Sequence, residues 1–240
     1  MKKVLFFLIN IYFFATPLVS EENFNLKLLE KYYSAENISK TEILGYYSEY
    51  KEKYFQNKNI ENLTNYIEAC TLYSTLYSSG QIPDFKTEIE SLNEKLQNEL
   101  NNYPFSSEVL TAYADYVYSE FSWKKDTTYN IFVLPNIYRK IINLDKSNEA
   151  ALVKLALWYI SASKYSTSNW NSFISKQESK IEKLSNPDKF NGYLLYSMFY
   201  MKKYNVEMGM KYLNKARELY PKNPLTFFIE QNYKNGKIGW

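Results

Sequence analysis

The chain has 240 residues, of which 45% are apolar and 23% charged. That is enough apolar surface to offset the entropy of ordering, which excludes a disordered chain. Only 6 glycines and 7 prolines are spread over this length, too few for the many tight turns of an all-β fold, so helices joined by short loops are expected.

Charge and motifs narrow the function classes. The formal net charge is +3, and without Lys2 and Lys3 the basic residues outnumber the acidic by one. A general nucleic-acid binder needs a basic face to neutralise phosphates, so that class is excluded. The chain contains no histidine, which removes the commonest general base and the commonest metal ligand. Neither a phosphate-cradling glycine loop nor a Gly-x-Ser-x-Gly elbow is present, and no cofactor or metal is expected.

Met1-Lys2-Lys3 is a short basic start, and Val4 to Ala15 is an apolar run broken only by Asn10. Thr16-Pro17-Leu18-Val19-Ser20 then leads into Glu21-Glu22. This is the three-part pattern of a secretory signal peptide over residues 1–20, with cleavage after Ser20, although Leu18 fits the cleavage site poorly. An uncleaved anchor is the rival reading. A membrane span takes about 20 apolar residues, and Val4 to Val19 supplies 16. The expectation is export to the periplasm or beyond, with membrane contact only through this segment if it is not removed. The single cysteine, Cys70, forms no internal disulfide and lies too far along the chain to carry an N-terminal lipid.

Residues 21–58 read as an N-terminal helical cap. Inside them, Ser39-x-x-Glu42 is a capping box opening a helix to about Gln56. A helix from about Asn59 to Tyr77 stops at Ser78-Ser79-Gly80. Asp84 after Pro83 caps the next, which ends before Pro104. Ser106 or Ser107 opens a helix to about Phe121, and Pro135 sits early in one that runs to about Leu144. Helices near 148–164, 169–185, 189–203 and 205–219 follow. Asn223-Pro224 starts the last one, to Lys234, and Asn235-Gly236 closes it. Residues 223–240 thus form a C-terminal capping helix and tail.

A repeat emerges over residues 59–222. Tyr193-x-x-Tyr196-Ser197-x-x-Tyr200 is followed by Gly209-x-x-x-Leu213, then Ala216 and Pro221. Its first half recurs as Leu152-x-x-Leu155-Ala156-x-x-Tyr159, Leu110-x-x-Tyr113-Ala114-x-x-Val117 and Tyr66-x-x-Ala69-Cys70-x-x-Tyr73. The small residues Cys70, Ala114, Ala156 and Ser197 stand 44, 42 and 41 apart. Unit closures fall at Pro104, Lys146, Pro187 and Pro221. Two antiparallel helices approach closely only where a side chain is tiny, and a proline ends a unit because it cannot continue the helix.

This pattern resembles the tetratricopeptide repeat, or TPR. The resemblance implies an all-α, TPR-like α-solenoid of about four antiparallel helix pairs with terminal capping helices. Only the last unit has the family's standard length, the others being longer by seven to ten residues. It also implies a concave surface lined by the first helices of each unit, which takes a peptide or partner protein.

The 25 tyrosines have two explanations, the codon usage of an AT-rich genome and an aromatic recognition surface. Tyr73 and Tyr116 are candidates on the first helices, together with Tyr118. The loops inside two units, 122–130 and 166–172, carry Trp123, Tyr129 and Trp170 among hydroxyl and amide side chains, a mixture suited to recognition. The same tryptophans would alternatively fold back as lids over their own helix pairs. The leading expectation is an exported, non-enzymatic interaction scaffold binding on a tyrosine-rich helical surface. The alternative is a transport-associated accessory protein enclosing a small apolar ligand. An enzyme working with carboxylates alone is the weakest reading, since pairs such as Glu178 and Glu182 fall on charged helix faces.

Overall fold

Side-chain caps set most of the helix starts in the computed structural model, which describes residues 24–36, 38–78, 86–122, 124, 128–162 and 170–236. The first helix, α1, is Phe24–Tyr33. The Ser39 hydroxyl accepts the Glu42 N–H at 3.1 Å and opens α2, Lys40–Gln56. The Asn59 side chain accepts from Asn62 at the start of α3, Ile60–Ser78, and α4 is Lys86–Leu100. Ser106 caps α5, Ser107–Ser119, through the Val109 N–H, and a 3₁₀ turn, Glu120–Ser122, extends it. Next come α6, Thr128–Leu144, and α7, Glu149–Ala162, the latter capped by Asn148 on the Ala151 N–H. The short α8, Asn171–Gln177, runs into a 3₁₀ stretch, Glu178–Lys183. Capped starts at Ser185, Asn205 and Asn223 open α9, Asn186–Lys202, α10, Val206–Leu219, and α11, Pro224–Lys234. The orphan first-turn N–H groups explain why Ser and Asn recur at these positions.

Three expectations need correction. The element expected over 169–185 is not one α-helix. From Glu178 it tightens to 3₁₀ geometry, in which residues three apart share a face, and this turns Ile181 and Leu184 inward together. Pro187 does not close a unit. It sits in the first turn of α9, where its missing N–H costs nothing, so that helix starts three residues before the expected 189. Pro135 is well inside α6, and the Ile131 carbonyl one turn back therefore loses its helical partner.

The chain is all-α among its described residues, eleven α-helices packed largely on their sequence neighbours. The most extensive contact is α9 against α10, followed by α3 against α5 and α2 against α3. The four small residues all lie inside: Cys70, Ala114, Ala156 and Ser197 are each 0% exposed. Burial pushes the Cys70 thiol up, away from its reactive form. A side chain built at Gly209 on α10 would come within 3.1 Å of the Ser197 carbonyl on α9, which shows how close these backbones run. The sharp α9–α10 turn places Tyr204 at φ 61°, with the Asn205 and Tyr204 N–H groups returning to the Tyr200 and Met201 carbonyls. That is the left-handed helix ending usually given to glycine.

The first helices α5 and α9 do not line an open concave face. Every α5 residue from Val109 to Ser119 is buried, and α9 is buried nearly all round. Their inner faces close on a charged centre. Lys154 of α7, 0% exposed, donates to both Asp115 oxygens of α5 at 2.9 Å and lies 3.6 Å from the Asp188 carboxylate of α9. Burial raises the Asp115 carboxyl well above its usual range; Lys154 draws it back, and Asp188 and Glu68 of α3 push it up further.

The N-terminal α1 then bridges α3 and α9. The Tyr33 hydroxyl accepts from the Asn191 amide at 2.8 Å, its carbonyl accepts from Asn223 at 3.0 Å, and Tyr220 donates to Glu30 at 2.7 Å. Tyr33, Phe190 and Tyr220 form a ring cluster with centroids 5.2–5.5 Å apart. The two ends of the described chain are thereby tied together. No described helix is long and apolar enough to cross a membrane.

Candidate functional site: an aromatic groove on α6 and α7

Helix α6 carries two stripes. Leu134, Tyr138 and Ile141 turn into the core and are 0–1% exposed. Thr128, Ile131, Phe132, Pro135, Asn136 and Arg139 follow helical spacing on another face, and they line a groove of about 560 Å³. The opposite wall is Trp158, Tyr159 and Ala162 of α7, with Trp170 just before α8. The groove is open on its α6 side, where Phe132 is 69% exposed.

The buried side of α6 is anchored firmly. Asn130, 0% exposed, donates to the Val117 carbonyl at 2.9 Å and to the Glu120 carboxylate at 2.8 Å. Glu120, also buried, further accepts from Asn93 at 2.8 Å and Lys124 at 3.2 Å. The start of α6 is thus fixed to α4 and α5 before the groove residues begin. Such a network holds geometry because each donor lost leaves the buried carboxylate less compensated.

The other wall is built of rings. Trp170 stacks on Tyr159 with centroids 3.9 Å apart and planes 7° from parallel, and Phe173 and Trp158 meet Tyr159 edge-on at 5.7 and 5.3 Å. Each such pair is worth about 0.5–1.5 kcal/mol beyond its buried area. Arg139, exposed at the end of the α6 stripe, joins the two walls. One guanidinium nitrogen donates to the Tyr159 hydroxyl at 2.9 Å and another to the Asn136 side-chain oxygen at 2.8 Å. The Arg139 fork is therefore oriented by two neutral groups.

Of the residues picked from sequence, Trp170 is placed on this groove. It is half-buried and stacked on its own helix pair, as the lid reading has it, yet it still forms part of the wall. Tyr129 is the second residue of α6, beside the groove-lining Thr128, but its side chain lies outside the described residues, as does Trp123. Tyr73 and Tyr116 are not surface residues. Both are 0% exposed, Tyr73 stacked on Tyr47 at 4.8 Å and Tyr116 near Tyr113 at 6.4 Å. They fill the core because the first helices are packed on all sides. Tyr118, 4% exposed, is buried as well. Phe132, Arg139, Trp158 and Tyr159 were missed. The signal for Phe132 and Arg139 is the second stripe of α6, where an apolar run at helical spacing ends in an arginine.

Among the described residues no group of acidic or cysteine side chains is arranged to hold a metal ion. Compared with known protein families, with curated proteins and with solved structures, the chain gives no significant match.

Proposed function

We propose that this is an exported, TPR-like helical interaction module that receives a segment of a partner protein in the groove between α6 and α7. The carrying observation is the groove itself: a preformed wall of Trp158, Tyr159 and Trp170 facing an exposed Phe132 across about 560 Å³. Rigid aromatic rings beside an arginine are the composition of binding hot spots. The repeat reading is supported by the burial of the four evenly spaced small residues and by the close α9–α10 crossing. The export reading is supported by the basic, apolar and small-residue pattern of residues 1–20. The surface differs from the one a tetratricopeptide resemblance implies, since α5 and α9 are buried and only the end of one first helix, α7, reaches the groove, whose other wall is α6.

A photo-crosslinking residue at Phe132 tests this in the exporting cell. It is expected to trap a discrete partner that the same residue at Phe105, 78% exposed on another part of the surface, does not. Equal yields of the same species at both positions would overturn the reading. A second reading, a small apolar ligand in the same groove, is favoured by the volume, which falls within the usual range for such pockets. Native mass spectrometry of the freshly purified protein distinguishes it, because a co-purifying small molecule adds a fixed mass.

A further inference from the structure

The charge in the groove identifies the chemistry of its occupant. Among the described residues that line the groove, Arg139 is the one ionisable cation, and none is an aspartate or glutamate. Its hydrogen bonds to Asn136 and Tyr159 go to neutral oxygens, so they orient the guanidinium without cancelling its charge. Arginine carries more N–H donors than these two bonds use, in a planar fork that matches a carboxylate. The remaining arginine in the described repeats, Arg217, is treated differently: it pairs with Glu230 at 2.7 Å. Arg139 itself is exposed at the end of the α6 stripe, with Phe132, Trp158 and Trp170 lining the groove beside it, so one ligand can meet the charge and the apolar wall together.

We infer that the groove takes an acidic peptide segment, in which a carboxylate binds Arg139 and a neighbouring large apolar side chain lies between Phe132 and the Trp158–Trp170 wall. This rests on the partner-binding reading above. Along α6 the lining residues Thr128, Phe132, Asn136 and Arg139 are all exposed, which suits a peptide lying along that helix. The carboxylate gives direction and selectivity, and the aromatic wall supplies contact area at small entropic cost.

The test is to select a random heptapeptide display library on the folded full chain, on Arg139→Gln and on Phe132→Ala. Circular dichroism establishes that the variants remain folded. The wild-type protein is expected to enrich peptides with aspartate or glutamate adjacent to an aromatic or leucine. Arg139→Gln is expected to lose the acidic preference and keep the apolar one, and Phe132→Ala to lose most enrichment. For the best enriched peptide, replacing its acid by the matching amide is expected to weaken binding about ten-fold or more, and added salt to weaken the acidic form only. That peptide-side change keeps the test valid should Arg139→Gln disturb Tyr159. Enrichment of apolar peptides without acids, or an acidic preference that survives Arg139→Gln, would overturn the charge inference while leaving the groove as a binding site. No enrichment on the wild type, or enrichment unaffected by Phe132→Ala, would overturn the partner-binding reading itself.

Discussion

Lys154→Met is expected to cost about 3–5 kcal/mol of unfolding free energy at pH 7, the range for removing one partner of a buried ion pair. Methionine keeps most of the lysine stem, so the loss reports the charge and not a cavity. It leaves Asp115, 2% exposed, and Asp188, 0% exposed, facing each other without the ammonium between them. The pH dependence follows from the Asp115 shift. Its folded-state pKa lies above the unfolded value near 3.8. A raised acid contributes stability that is complete below that unfolded value and is lost as pH climbs through the folded one. Without Lys154 that folded value rises further, so the loss extends over a wider window. The deficit of the variant should therefore be largest at neutral pH and shrink at pH 4, where Asp115 takes up a proton. Urea unfolding followed by circular dichroism at both pH values checks this. An equal deficit at pH 4 and pH 7 would show that the ionic centre does not act as described.

The second large effect is at Gly209. A Cβ there would lie 2.6 Å from Met201 Cγ, 3.1 Å from the Ser197 carbonyl oxygen and 3.3 Å from the Met201 nitrogen. The methionine side chain can swing away, but the two backbone atoms belong to α9 and can move only if the helices part. Gly209→Val is therefore expected to lose about 2–3 kcal/mol, a fall in Tm of roughly 5–10 °C for a chain of this size. Gly45 is the contrast. It lies within α2, and nothing is within 4 Å of a Cβ built there. Gly45→Ala should stabilise by about 0.5–1 kcal/mol through helix propensity alone. Opposite signs at two helical glycines would localise the tight crossing to α9 and α10. Destabilisation at both would remove the distinction.

The caps explain why so many helix boundaries were legible. Ser39, Ser106 and Asn223 each accept a first-turn N–H, and such bonds depend on a few consecutive residues. The periodic small residues were legible too, because a close crossing admits little else at Ser197 and Gly209. The surroundings of each helix were not. Periodicity shows that a helix has an apolar face, and it does not show how many neighbours cover the rest. For that reason Tyr73 and Tyr116 read as surface rings while they are core. The bridge made by α1 was beyond local reasoning, since Tyr33 meets Asn191 and Asn223 far along the chain. Its one trace was a hydrophobic cluster at Leu28, Leu29 and Tyr33, all buried. The groove fell between these cases. Trp170 stands out by the composition of its loop, whereas by composition nothing sets Arg139 apart from the other basic residues.

Fluorine NMR of the protein labelled with 5-fluorotryptophan or 3-fluorotyrosine, before and after addition of the crosslinked partner, tests the placement of the binding surface most directly. The expected result is a shift of the Trp158 and Trp170 resonances, with those of Tyr73 and Tyr116 unmoved. Movement of the two tyrosine signals with both tryptophans unchanged would contradict it and would return the partner to α3 and α5.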